Sequence, residues 1–212
     1  MPVAQRIAES FVQVDQELAA AFGDAVIESG ATGTVILHKG DKILVSHVGD
    51  SRAVLGSTGN KYTVLTVDHS PALPAERARI EASGGEVGVL PGELPMEETG
   101  DGRVFVAGLP GPALNTARAF GDVTAKSVGV TASPEQKCIS LAPTDKCIII
   151  ASDGVWDAMD EETAVETVMQ YAKDKDSEMA ATVLVQACRL VWEAKPTGSI
   201  AIDDISAVVV FL

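Results

Sequence analysis

Aromatic residues make up only 4% of this 212-residue chain, so the core must be built from aliphatic side chains. Cysteine is scarce and odd in number: Cys138, Cys147 and Cys188, with no CxxC spacing. That excludes a disulfide framework and a thiolate metal cluster, and it suits a reducing compartment, cytoplasmic or nuclear. Long hydrophobic runs are missing. The longest, "AVVVFL" at residues 207–212, is far too short to cross a bilayer. The N-terminal stretch carries Glu9, Asp15 and Glu17 within its apolar pattern, unlike a signal peptide. Basic residues are few, 16 Lys and Arg against 30 Asp and Glu, for a net charge of −14. Phosphate contacts need clustered cations, so neither nucleic acid nor an anionic membrane is an expected partner. There is also no Walker-type glycine loop and no GxSxG elbow.

Apolar residues nonetheless make up 46% of the chain, enough for one domain with a substantial core, and residues 1–212 are expected to form a single one. Ile7, Phe11, Val14, Leu18 and Phe22 recur at helical spacing, which predicts a helix over residues 3–22 ending at Gly23. Short β-branched runs then alternate with turn signals at Lys39-Gly40-Asp41, Gly49-Asp50 and residues 57–60, predicting four antiparallel strands joined by hairpins. A helix opening on Pro74 and closing on Gly84-Gly85 follows. Residues 86–103 read as an exposed excursion, residues 103–108 as a strand, and residues 114–136 as mostly loop. Two strands flank a Pro-Thr-Asp turn. Two helices come next, capped by Asp160 and by Ser177, and a last strand closes the chain. The total is nine strands and four helices. Runs of antiparallel strands rather than βαβ alternation indicate an α+β fold with helix-covered sheets.

Three acids share one setting. Asp68 follows "YTVLTV", Asp153 follows "CIIIAS", and Asp203 precedes "ISAVVVFL". If the strands at 147–151 and 205–212 are antiparallel neighbours, the exit of one lies beside the entrance of the other, and Asp153 meets Asp203. Two carboxylates that close repel unless a cation sits between them. Hard oxygen ligands suit Mg²⁺ or Mn²⁺. A plain Asp-Gly turn and a solvated strand end are the competing readings, and the pattern leaves both open. His38, His47 and His69 have no paired spacing and read as structural histidines.

The motifs "SGATGTVILHKGDKILVSHVGDSRAVL", "VDHSPALPAERARIEASGGEV", "LNTARAFGDVTAKSVGVTASPE", "CIIIASDGVWDAM" and "DDISAVVVFL" stand in order from Ser29 to Leu212. Together they resemble the type 2C family of metal-dependent protein serine/threonine phosphatases. The resemblance implies an antiparallel β-sandwich flanked by helices, four layers in the order α-β-β-α. It also implies a site at one end of the sandwich where aspartates hold Mg²⁺ or Mn²⁺ and a metal-activated water attacks phosphoserine or phosphothreonine. By resemblance Asp153 and Asp203 are metal ligands and Asp68 is linked to a third, looser metal. Arg118 and Asp122 fall in the family's Arg-Ala-x-Gly-Asp stretch, where structural ion pairing is expected, and residues 123–134 fall in the flap beside the site.

This sequence departs from the family pattern in three ways. The closing motif reads Asp203-Asp204 instead of Asp-Asn, and Ala117 replaces the usual serine before Arg118. The Asp-Gly-His-Gly-Gly motif and the phosphate-binding arginine are not in this sequence. The expected fold is therefore N-terminally incomplete, no catalytic residue is identifiable, and metal occupancy is expected to be weak or partial. The resemblance implies a phosphoprotein substrate. A chain with these departures suits a poorly active phosphatase or, alternatively, a pseudophosphatase that binds a regulatory protein as a scaffold. Uncovered sheet edges would favour self-association.

Overall fold

Strand and helix signals in this chain are separated by glycines at the positions where the backbone must reverse. Gly40 (φ 62°) and Gly59 (φ 74°) occupy two such turns, in the left-handed region that glycine enters without strain. A computed structural model describes residues 2–109, 111–195 and 202–212. In chain order these form helix α1 (Val3–Phe22), a 3-10 turn at Gly23–Val26, and strands β1 (Gly30–Ala31), β2 (Gly33–Lys39), β3 (Lys42–Val48), β4 (Arg52–Ser57) and β5 (Lys61–Val64). Helix α2 (Pro74–Ala82), β6 (Gly85–Gly88), α3 (Met96–Thr99), β7 (Arg103–Val106), β8 (Pro112–Leu114), β9 (Phe120–Gly121) and α4 (Val123–Lys126) follow. The last elements are β10 (Glu135–Ser140), β11 (Asp145–Ala151), α5 (Asp153–Trp156), α6 (Glu161–Met169), α7 (Ser177–Ala194) and β12 (Ala207–Phe211). Among the described residues no helix is long and apolar enough to cross a membrane.

The chain divides into two compact units. The first comprises residues 1–35, 46–50 and 68–136; the second comprises 36–45, 51–67 and 137–212. The first holds the antiparallel pair β1–β9 and the sheet β6-β7-β8. Its core gathers Ile80 of α2, Val104 of β7 and Ala125 of α4, all with no exposed surface. Helix α1 is anchored by Phe11, whose ring centroid lies 5.3 Å from that of Phe120. Asp15 of the same helix accepts from the Gly121 amide and pairs with Lys126 at 3.0 Å.

The second unit contains the sheet β12-β11-β4-β5, antiparallel throughout. One face of it packs under α6 and α7, burying Val54, Cys147, Ile149, Leu184 and Cys188. The other face, with Ala53, Leu55 and Ile148, meets Ile43, Val45 and Ile139. These belong to β3 and β10, which with β2 form a further sheet ordered β10-β3-β2. Alternation along β11 sends Cys147 and Ile149 to one cluster and Ile148 to the other, as a strand buried on both faces requires.

Several expectations need correction. The described residues form twelve strands and seven α-helices, because short elements escape a periodicity reading. β3 and β4 are not a hairpin: they lie in different sheets, and "VGDSR" carries the chain from one to the other. Gly49 (φ 94°) makes that turn with its α-carbon against Thr32, where a side chain would collide. Residues 86–103 begin and end in paired strands, since β6 and β7 join through Val87 and Val104. The segment read as mostly loop contains β9 and α4. The cap of α7 is Asp176, which accepts from the Met179 amide, rather than Ser177. Asp160 caps α6 as expected, accepting from Thr163.

Candidate metal centre

Strand β11 pairs antiparallel with β12 from Cys147↔Phe211 to Ala151↔Ala207. The exit of β11 therefore lies at the entrance of β12, and the connection is made tight by Ser152. Its amide donates to the Ser206 carbonyl at 3.0 Å, and its hydroxyl donates to the Asp204 carbonyl at 3.0 Å and accepts from the Ser206 amide at 3.1 Å. Gly154 lies so close to the Asp204 carbonyl that a β-carbon there would collide with it. This answers why glycine follows the aspartate: the approach of the β12 entrance leaves no room for a side chain.

The same geometry brings Asp153 and Asp203 together. Asp153 is partly buried and Asp203 exposed. Burial pushes the Asp153 carboxyl above its ordinary range, and the negative charges of Asp203 and Asp157 push it further, against a downward pull from the Gly154 amide. Among the described residues no lysine or arginine pairs with either Asp153 or Asp203. Each spends one oxygen on the next amide, Asp153 on Gly154 at 2.9 Å and Asp203 on Asp204 at 2.8 Å. A carboxylate offers about four lone-pair positions, so acceptor capacity remains at both.

That donor set fits a hard divalent cation. Mg²⁺ binds through one or two carboxylates and keeps several waters, so it does not require a closed protein cage. Among the described residues no group of three or more His, Cys, Asp or Glu is arranged to hold an ion unaided. An ion at Asp153 and Asp203 would therefore be mostly hydrated. Asp68 belongs to the first unit, where its carbonyl accepts from the Ser70 amide.

Some contributors were not legible in the sequence as such. Asp157 sits four residues after Asp153 in the quoted motif, yet its charge acts on Asp153. Trp156 and Trp192 donate their indole N–H groups to the carbonyls of Ala151 and Gly154, at 3.0 and 2.7 Å. The available signal was chemical: a buried tryptophan needs an acceptor, and Leu184, Cys188 and Trp192 recur at a spacing of four along α7.

Arg118, Asp122, His47 and His69 lie in the first unit, and His38 in the second. Arg118 clasps the buried Glu76 with Nε, 3.1 Å from each carboxylate oxygen, and with Nη2. Arg79 reaches Glu76 at 2.6 Å and also donates to the carbonyls of Ala117 and Gly129. Asp122 is 7% exposed in a left-handed conformation (φ 47°), and burial raises its carboxyl above the ordinary range. His69 is buried with Nδ1 3.1 Å from both the amide and the carbonyl of Gly49, and its ring stacks on His47 at 4.5 Å. Burial, then His47 and Arg118, lower its pKa to about 3, so it is neutral at physiological pH. His47 is buried as well, whereas His38 is exposed and bonds the Gly40 carbonyl.

Comparison with known proteins bears on the same residues. The family model described as "Protein phosphatase 2C" matches residues 2–191. The chain belongs to the protein phosphatase 2C family. The match reaches back through α1, beyond the Ser29 boundary that the motifs alone suggested. Among the similar proteins, "Probable protein phosphatase 2C 48" of Oryza sativa subsp. japonica is 38% identical over 206 residues, covering 93% of this chain and 56% of the relative. "Probable protein phosphatase 2C 34" of Arabidopsis thaliana is also 38% identical, covering 86% of this chain and 50% of the relative. The chain thus spans about half the length of these curated relatives. A crystal structure of serine-threonine phosphatase 2C from Toxoplasma gondii superposes with a TM-score of 0.81 at 27% identity, covering 99% of this chain and 67% of that one. The expected α+β architecture with antiparallel sheets is that of this protein phosphatase 2C neighbour.

Proposed function

We propose that this chain carries part of the metal site of a protein serine/threonine phosphatase, with Asp153 and Asp203 as ligands of Mg²⁺ or Mn²⁺. The observation that carries the reading is the convergence of two carboxylates, fifty positions apart in sequence, at the β11–β12 junction without a cationic partner among the described residues. A divalent ion there would lower the pKa of a bound water and neutralise charge on a phosphoryl group. The chain's own part is to fix the ligands: Ser152 ties the two strand ends, and Gly154 lets them approach. Asp157 adds negative charge beside Asp153. Asp68 is proposed as an acid of a looser third metal, on the family resemblance alone. The substrate class is a phosphoserine or phosphothreonine protein, and the free thiols suit the cytoplasm or nucleus.

With so few protein ligands, an ion at this site takes most of its coordination from water, so binding is weak and turnover by this chain alone is poor. Calorimetry should register Mn²⁺ uptake by the wild-type chain in the millimolar range and none by Asp153→Ala. No uptake by the wild type at millimolar Mn²⁺ would remove the reading. A second reading, a pseudophosphatase scaffold for a regulatory protein, draws on the absence of a three-ligand group among the described residues. Hydrolysis of p-nitrophenyl phosphate with Mn²⁺ separates the two: slow turnover that vanishes in Asp153→Ala favours the enzyme, and Mn²⁺ uptake with no turnover favours the scaffold.

Self-association belongs to the same proposal. β12 is an edge strand whose outward residues Val208 and Val210 are 56% and 43% exposed. Edge strands with apolar faces pair with further strands. Sedimentation should find a mass that rises with concentration. A strict monomer at high concentration refutes the self-association.

A further inference from the structure

We infer that Trp192 is a positioning residue for the Asp153 carboxylate, acting from α7 through the Gly154 carbonyl; this rests on the metal reading above. Three consecutive observations lead there. Helix α7 presents Leu184, Cys188 and Trp192 as a buried row. The two residues nearest its C-terminal end both engage the short helix that carries Asp153: Trp192 Nε1 donates to the Gly154 carbonyl at 2.7 Å, and Cys188 Sγ lies 3.9 Å from the Val155 carbonyl. From the other side, Trp156 Nε1 donates to the Ala151 carbonyl at 3.0 Å. The carbonyls immediately before and after the Ser152-Asp153 pair are thus each fixed by an indole N–H.

Both indoles are themselves held. Lys195 Nζ sits 3.3 Å from the centroid of the Trp192 ring, and the Arg52 guanidinium sits 5.6 Å from that of Trp156 while pairing with Glu161. Trp192 is 6% exposed and Trp156 is 9% exposed, so neither N–H has ready access to bulk water as an alternative acceptor. Rotation of the Gly154 peptide would break the Trp192 bond and bury an unsatisfied carbonyl. That carbonyl belongs to the Gly154–Val155 peptide; the Gly154 amide, in the neighbouring Asp153–Gly154 peptide, is joined to it through the Gly154 α-carbon and donates to Asp153 Oδ1. Fixing the Gly154 carbonyl from α7 therefore restrains the α-carbon whose amide holds the carboxylate, in a space the Asp204 carbonyl already closes. Hydrogen bonds that orient a metal ligand are typically worth about ten- to a hundredfold in metal affinity.

The test uses the full chain and Mn²⁺, with free hexaaqua Mn²⁺ followed by electron paramagnetic resonance. Trp192→Phe keeps the ring and deletes the donor. It should weaken Mn²⁺ binding roughly tenfold. Leu184→Ala, two turns earlier on the same buried row, destabilises the chain but should leave Mn²⁺ affinity within about twofold, as expected for an independent site. A purely structural role for Trp192 predicts instead that both variants change stability and neither changes affinity, and that result overturns the proposal. Wild-type chain supplies a second measurement that needs no variant to fold. With only two tryptophans, its ¹⁵N spectrum holds two indole signals. Titration with diamagnetic Mg²⁺ should move the Trp192 signal with the midpoint of Mg²⁺ binding. Binding that leaves that signal in place also overturns the proposal. If wild type takes up neither ion, the metal reading itself falls, and the positioning role with it; uptake by wild type and Trp192→Phe with equal affinity removes only the role of Trp192.

Discussion

Glu76 is a charged side chain only 3% exposed, and its surroundings explain why it is tolerated there. Burial alone would raise its carboxyl, but hydrogen bonds from Arg118 and Arg79, reinforced by their charges, hold it below the ordinary glutamate range. The two guanidiniums do not end at Glu76. Through the carbonyls of Ala117, Gly129 and Ser133 they hold both ends of the segment that carries β9 and α4. Removing the carboxylate leaves two partly buried cations facing each other. Glu76→Ala should therefore cost about 3–5 kcal/mol, the range for breaking a buried pair by deleting one partner. The sign of the pH dependence follows from the depressed pKa. The stabilisation is complete above the ordinary glutamate range and is lost as pH falls through the lowered value. Urea denaturation of wild type and Glu76→Ala should show a gap that is full at neutral pH and narrows in acid. A constant gap down to pH 2 would mean the carboxylate's charge is not what holds the arginines.

At the scale of elements, the β11–β12 junction is where sequence and structure agree most closely, and the reason is physical. A run such as "CIIIA" has few arrangements that bury every side chain, and an antiparallel partner of matching length stands at the end of the chain. The acid at the exit of one strand and the acid before the entrance of the other could thus be paired on paper. The cap of α6 was equally legible, because Asp160 stands immediately before a helical pattern. What escaped reading depends on contacts far along the chain. Nothing local distinguishes a turn within one sheet from a crossing between two, so β3 and β4 read as a hairpin. β9 is two residues long and exists because Phe120 and Gly121 meet β1. Of the two indole bonds that pin the Asp153 turn, that of Trp192 comes from a helix some forty residues away. The Gly154 position joins the two kinds of information: Asp-Gly suits many turns, and only the Asp204 carbonyl makes the glycine obligatory here. Gly154→Ala should lower stability by about 1–3 kcal/mol, an overpacking cost. The loss should be read as a lower denaturation midpoint with an unchanged slope. A variant as stable as wild type would mean the junction is looser than drawn.

For the whole molecule, the metal site proposed at Asp153 and Asp203 would set stability against function. Burial, Asp203 and Asp157 raise the pKa of Asp153 in the folded chain. An acid whose folded pKa is raised favours the folded state most when protonated, and that advantage fades as pH climbs through the raised value. At neutral pH the metal-free chain therefore folds with a penalty at this junction. Asp153→Asn removes a charge, keeps the size and should raise the metal-free denaturation midpoint above that of wild type. The same substitution should abolish the gain from Mn²⁺. A ligand that binds only the folded state stabilises it by about 2.7 kcal/mol at a concentration of 100 Kd, so wild type should overtake the variant once Mn²⁺ is well above its Kd. The two stability curves should cross as Mn²⁺ is added. Parallel curves would show that the ion does not bind at Asp153, and a variant weaker than wild type without metal would show that Asp153 stabilises the fold by some contact other than the repulsion described here.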